Sequence, residues 1–156
     1  MNTELLKKIT LAYFALPQDY QIKPLTYSEV KGKAEILGCY IVVFRAAEKP
    51  DEAAAISFDD MLEDKFAQAV GNDMLKRLDL LVKFSDSAET IRRIYGEPSA
   101  VNKISEDIQQ LPYFVEHNTL LNFGLSKKSG LYSLELTNNA DIIKERTKRL
   151  QTYHSA

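Results

Sequence analysis

Leu120-Leu-Asn-Phe-Gly-Leu-Ser-Lys-Lys-Ser-Gly-Leu-Tyr-Ser-Leu-Glu-Leu136 is the stretch on which the fold turns. Leu121, Phe123 and Leu125 alternate with Asn122, Gly124 and Ser126, a period of two that gives a strand one buried and one wet face. The segment Ser126-Lys-Lys-Ser-Gly130 is turn chemistry, after which alternation resumes with Tyr132, Leu134 and Leu136. A strand pair with one apolar face needs helices laid on it, so the hairpin points to an α+β fold.

Working outward, a last helix is expected after the hairpin, capped by Asn138 or Asn139, with Ile142, Ile143, Leu150 and Tyr153 as its apolar stripe. Upstream, Pro98 suits the first turn of a helix whose Val101, Ile104 and Ile108 share a face before Pro112 closes it. Asp86 with Glu89 starts a helix over Ser87 to Tyr95, which Gly96 ends. Met74 to Phe84 reads as a helical turn followed by a strand through Leu80, Val82 and Phe84. Ser57 with Asp60 resembles a capping box opening a helix through Phe58, Met61, Leu62, Phe66 and Val70, with Gly71 at its end.

The first third supplies a second strand region. Tyr20 to Val30 is interrupted by Pro24 and reads as an edge strand, with Lys31-Gly32-Lys33 as a turn. Ala34 to Ala46 reads as a central strand buried on both faces, within which Gly38 permits a bulge. Ala47 to Ala55 is the expected loop. At the start, Leu5, Leu6, Ile9, Ala12, Tyr13 and Leu16 fall on one helical face, capped by Asn2 or Thr3 and stopped by Pro17. The whole is one α+β domain over 1–156: a mostly antiparallel sheet, with hairpins near 20–46 and 113–137, covered by N-terminal, central and C-terminal helices.

Composition narrows the class of function. A chain of 156 residues, 45% apolar and 27% charged, buries a core without metal or disulfides. A formal net charge of −2 argues against a dedicated nucleic-acid binder. Cys39 is the only cysteine, so no intrachain disulfide forms; with only His117 and His154 beside it, no zinc site is expected. No apolar run approaches the roughly 20 residues that span a bilayer. Ile9 to Leu16 lacks a small-x-small cleavage site after it, so the expectation is a cytoplasmic protein with no membrane contact.

Several groups deserve weighing as sites. Asp19 followed by Glu29-Val30-Lys31 resembles the acidic-residue and D/E-x-K signature of metal-dependent nucleases, whose carboxylates bind Mg²⁺ and whose lysine stabilises developing negative charge. The same residues serve as charged protection of a hairpin edge, which is the preferred reading. Asp59, Asp60, Glu63 and Asp64 form the densest acidic cluster; on a helix, Asp59 lies over Glu63 and Asp60 over Asp64, a face suited to a hard cation or simply to the helix dipole. Lys144, Arg146, Lys148 and Arg149 make the last helix basic, Glu145 can pair with Arg149, and Arg92-Arg93 extends the patch if the two helices are neighbours. Cys39 reads as a small core residue, a thiol enzyme arising only if His117 lies beside it.

No serine-hydrolase elbow, phosphate loop or dinucleotide fingerprint is present. No catalytic, cofactor-binding or metal-binding residue is therefore assigned. The expectation is a non-catalytic protein–protein interaction module, chaperone- or immunity-like, that binds another protein or a second copy of itself. The alternatives are a metal-dependent nuclease on Asp19, Glu29 and Lys31, or a small-molecule binding domain.

Overall fold

The computed structural model describes residues 1–12, 14–16, 20–115 and 118–154, with side chains described as far as Arg149. Among the described residues, eight strands form one antiparallel sheet in the order β1-β2-β3-β4-β8-β7-β6-β5. The strands are β1 (Gln21–Tyr27), β2 (Val30–Leu37), β3 (Ile41–Ala46), β4 (Ala55–Phe58), β5 (Asn102–Lys103), β6 (Ile108–Val115), β7 (Thr119–Ser126) and β8 (Gly130–Thr137). The helices are α1 (Thr3–Leu6), α2 (Lys65–Arg77), α3 (Ala88–Tyr95) and α4 (Ala140–His154). Two meanders, β1 to β4 and β5 to β8, meet where β4 pairs with β8. No helix among the described residues is long and apolar enough to cross a membrane.

Strand alternation sends two sets of side chains to opposite faces. Ile41, Val43, Ile56, Phe58, Leu111, Tyr113, Leu121, Phe123, Leu134 and Leu136 meet Leu6, Met74, Leu75, Ile91 and Tyr95 in the main core, so α1, α2 and α3 share one face. Phe44, Ala46, Ala54 and Ala55 meet Ile142 of α4 on the other. The α+β expectation holds, and the deciding hairpin is β7–β8. A β-bulge there pairs Leu125 with Leu131 and Gly124 with Ser133. Leu131 is thereby buried, and Tyr132, expected in the core, is only half-buried.

The first hairpin region holds three strands, not two. Its first turn is Ser28-Glu29, both at positive φ (49° and 66°), as a two-residue hairpin turn demands. Lys31-Gly32-Lys33 is inside β2, where a Cβ on Gly32 would collide with the Arg45 carbonyl and the Phe44 ring. The expected long central strand breaks at Gly38 (φ 61°), so Cys39 is exposed in the β2–β3 turn rather than buried. β1 is an edge strand as expected, its residues exposed up to Tyr27. In a two-residue hairpin Tyr27 and Val30 exchange hydrogen bonds, so Pro24 falls at a position whose nitrogen faces outward.

Strand pairing overrides two local helix signals. Ala55–Phe58 is claimed by β3 and β8, so Ser57 caps nothing; α2 starts at Lys65, where Asp64 Oδ1 accepts from Phe66 N (2.8 Å) and Ala67 N (3.1 Å). Gly71 lies buried within α2 instead of ending it. The helix expected over 98–112 is absent: Asn102 and Lys103 pair with β6, and Pro112 sits inside β6, its carbonyl taking Ser99 N at 2.8 Å. Leu80, Val82 and Phe84 alternate inward as predicted but form no ladder. Side chains serve their backbone instead, Tyr95 Oη taking Leu81 N (3.0 Å) and Asn72 Oδ1 taking Phe84 N (2.9 Å). At the start, α1 is a single turn capped by Asn2; the Tyr13 and Pro17 expectations lie outside the described residues.

Helix α3 matches its expected span, with Ser87 Oγ accepting from Thr90 N (3.2 Å). Helix α4 is capped by Asn139, whose Oδ1 accepts from Asp141 N (3.0 Å) and Ile142 N (3.1 Å). The side chains of Leu150, Tyr153 and His154 lie outside the described set.

Candidate functional site

Three alanines, Ala46, Ala54 and Ala55, let α4 come down onto the sheet at Ile142. Thr137 pins the helix entry: its hydroxyl donates to the Ala54 carbonyl (2.7 Å) and accepts from Asn139 N (3.1 Å). The helix covers the end of the sheet around Phe44 and Ala55 and leaves the neighbouring rows open. Cross-strand register fixes what those rows carry. One reads Ser57, Glu135, Asn122, Pro112; the next reads Ser133, Gly124, Gln110, Asn102.

All of these residues but Pro112 floor a groove of about 300 Å³, with Arg146 and Arg149 along one wall and Ile104 on its rim. A Cβ on Gly124 would collide with the Ser133 hydroxyl, so glycine keeps the floor open there. Asn102, almost wholly buried, donates through Nδ2 to Gln110 Oε1 at 3.1 Å. The floor is therefore built of amides and hydroxyls around one ion pair.

That pair is Glu135–Arg146. Arg146 Nε lies 2.8 Å from Glu135 Oε1 and its Nη2 3.0 Å from Oε2, a two-pronged clamp. Tyr27 donates its hydroxyl to Glu135 Oε2, stacks on Phe44 at 5.3 Å between centroids, and receives the Arg146 guanidinium over its ring at 5.3 Å. Burial, and then the Glu135 charge, raise the Tyr27 pKa and keep the phenol protonated. Burial works against the Arg146 charge, but the hydrogen bonds and charge of Glu135 outweigh it and raise its pKa. Two shielded polar atoms of groove residues have no hydrogen-bond partner among the described residues: Asn122 Oδ1 and Arg146 Nη1.

A wider cavity of about 870 Å³ opens over β1 to β3, lined by Ile22, Lys33, Glu35, Arg45 and Pro50. Arg45 there is spent on Glu35 (2.9 Å) and the Phe14 carbonyl (2.8 Å). One shielded atom, Glu35 Oε2, has no hydrogen-bond partner among the described residues, against two in the groove.

The residues singled out in the sequence fall differently. Of the basic helix, Arg146 and Arg149 enter the groove, and Arg149 pairs with Glu145 at 3.3 Å as expected. Arg92 and Arg93 cannot extend that patch, because α3 packs on the opposite face of the sheet. The acidic residues share no helical face: Asp59, Asp60 and Glu63 are exposed in the β4–α2 loop and Asp64 is the α2 cap. No group of three or more His, Cys, Asp and Glu among the described residues is placed to hold a metal. Glu29 is exposed at a turn tip and Lys31 is exposed in β2, while Asp19 and His117 lie outside the described residues. Sequence reasoning placed none of Ser57, Asn102, Gln110, Asn122, Ser133 and Glu135 in a binding site, reading Ser57 only as a helix cap; the signal present was that Asn122 and Gly124 alternate with the core residues Leu121, Phe123 and Leu125.

Comparison with protein-family models, with curated proteins and with solved structures finds no match to this chain.

Proposed function

We propose that the chain is a non-catalytic protein–protein interaction module and that the groove beside α4 is its recognition surface. The observation that carries the reading is the chemistry of the floor. Ser57, Asn102, Gln110, Asn122 and Ser133 are hydrogen-bonding groups; of the two carboxylates that line the groove, Glu135 is engaged by Arg146 and Tyr27, and Asp59 is exposed in the β4–α2 loop. The groove lies open along a sheet, a shape suited to a polar segment of another protein. The partner is another protein, a second copy of this chain being one such partner. A cytoplasmic setting fits the exposed, unpaired Cys39 thiol.

A small-molecule binding domain is the second reading, because about 300 Å³ reaches the lower end of ligand-pocket volumes. Photo-crosslinking separates the two. The change Ile104→p-benzoylphenylalanine on the groove rim is expected to give one discrete protein adduct, and the same change at Leu81, exposed between α2 and α3, is expected to give none. Affinity of the purified partner should then fall about tenfold or more in Ser57→Tyr, which fills the groove. Identical adducts from both positions, or none from Ile104, would refute the protein-binding reading.

A further inference from the structure

We infer that the cavity over β1 to β3 is a second binding site, one that takes a small monocarboxylate with a hydrocarbon body. The inference is independent of the groove beside α4. Glu35 is paired with Val43 of the main core and Lys33 with Arg45, so these side chains stand on the face of the sheet opposite α4.

The register loads that face with cations. Lys31, Lys33 and Glu35 are alternate residues of β2 and share the face, and Arg45 is directly opposite Lys33. Like charges placed directly opposite destabilise a strand pair. Glu35 engages Arg45 at 2.9 Å, while the side chains of Lys31 and Lys33 have no hydrogen bond or ion pair among the described residues. The cavity is lined by Lys31, Lys33 and Arg45 against the carboxylates Glu35 and Asp51, a formal excess of one positive charge among the described residues. Beside them stand apolar groups, Pro50, Ala47 and Ile22, and Ile22 is left 61% exposed.

These features select among occupants. A bare inorganic anion answers the lysines but leaves Ile22 wet. A neutral lipid covers Ile22 but leaves the opposed cations as they are. A monocarboxylate matches the single excess charge and lays its hydrocarbon on Ile22 and Pro50. The volume, about 870 Å³, lies within the roughly 300–1,000 Å³ of small-molecule sites. A protein segment adding as a strand to β1 is disfavoured, because the outward-facing nitrogen of Pro24 carries no hydrogen to donate.

The test is NMR titration of the ¹⁵N-labelled full chain with octanoate, butanoate, octylammonium and a five-residue peptide of alternating leucine and glutamate. Octanoate is expected to move the Ile22, Lys33, Arg45 and Ala47 amides and to leave Asn122 and Gly124 of the groove in place. Butanoate, shorter by four methylenes, should bind at least about tenfold more weakly. Octylammonium, with the same body and the opposite charge, should also be at least about tenfold weaker. Lys33→Gln should weaken octanoate binding about fivefold. Its melting temperature without ligand should hold or rise, because the like-charge opposition to Arg45 is gone.

That pattern supports the inference. No movement with octanoate, movement confined to the groove, or equal affinity for octylammonium overturns it. So does unchanged octanoate affinity or a lowered melting temperature in Lys33→Gln. Tighter binding of the peptide than of octanoate at the same amides overturns the small-molecule assignment and turns the cavity over to an acidic protein segment.

Discussion

Arg146 holds its guanidinium carbon 5.3 Å from the centroid of the Tyr27 ring while its Nε reaches Glu135 at 2.8 Å. The last helix is thus joined to the first strand through a carboxylate on β8. The pair is about four-fifths buried, with side-chain exposures of 18% for Arg146 and 17% for Glu135.

Loss of Arg146 therefore leaves a shielded carboxylate unmatched. Arg146→Ala is expected to cost about 3 kcal/mol. Tyr27→Phe, which removes only the hydroxyl bond, should cost about 1 kcal/mol. Arg149→Ala, at a side chain 60% exposed, should stay within about 0.5 kcal/mol. Urea unfolding checks all three, and equal effects at Arg146 and Arg149 would contradict the network.

Alkaline conditions should unfold the protein through its tyrosines. Burial pushes the Tyr113 phenol from 10.0 up to about 12, and raises Tyr27, Tyr95 and Tyr132 as well. Below pH 10 these phenols are protonated in both states and stability is intact. As pH rises from 10 to about 12, the unfolded chain loses those protons first, and stability falls. Tyr113→Phe should make that decline shallower, although at neutral pH it forfeits the bond to the Gly96 carbonyl at 2.6 Å. Thermal melts at stepped pH follow the slope.

Two glycines in the first meander should respond differently to alanine. Gly32→Ala drives a methyl into the Arg45 carbonyl and the Phe44 ring, for about 2–3 kcal/mol. Gly38→Ala finds ordinary contact with Tyr40 at 3.6 Å and is charged only for its φ of 61°, about 1 kcal/mol. Chemical denaturation of both variants gives the ratio.

Cys39 should react with a disulfide reagent in the native protein, to one equivalent per chain and without any unfolding step, because it is exposed in a turn. Slow reaction limited by unfolding would return it to the core position its apolar neighbours suggest.

The β7–β8 hairpin was legible because period-two alternation and turn chemistry agree there. The stretch Val101 to Ile108 misled because apolar residues fell at helical spacing by coincidence. Ile104 is in fact 47% exposed, while Asn102 is 4% exposed. Ser57 and Asp60 carried a genuine capping pattern, but β3 and β8 offered that backbone a better ladder. Arg146 was visible as a cation, yet its partner Glu135 and its ring Tyr27 lie on strands whose adjacency no local pattern encodes. The groove was hidden for the same reason: its floor is assembled from β4, β5, β6, β7 and β8 across register, and each contributor alone is an ordinary wet-face residue.

The junction of the two meanders also dictates an order of assembly. Within each half, every strand bonds to its neighbour in sequence, so those hairpins close at small entropic expense. Joining β4 to β8 spans the whole intervening chain and is the slow, non-local step. Methyl deletions at Leu125 and Leu131, inside a hairpin that closes before that step, should hence retard folding, and Ile56→Val at the junction should retard it in part and speed unfolding for the remainder.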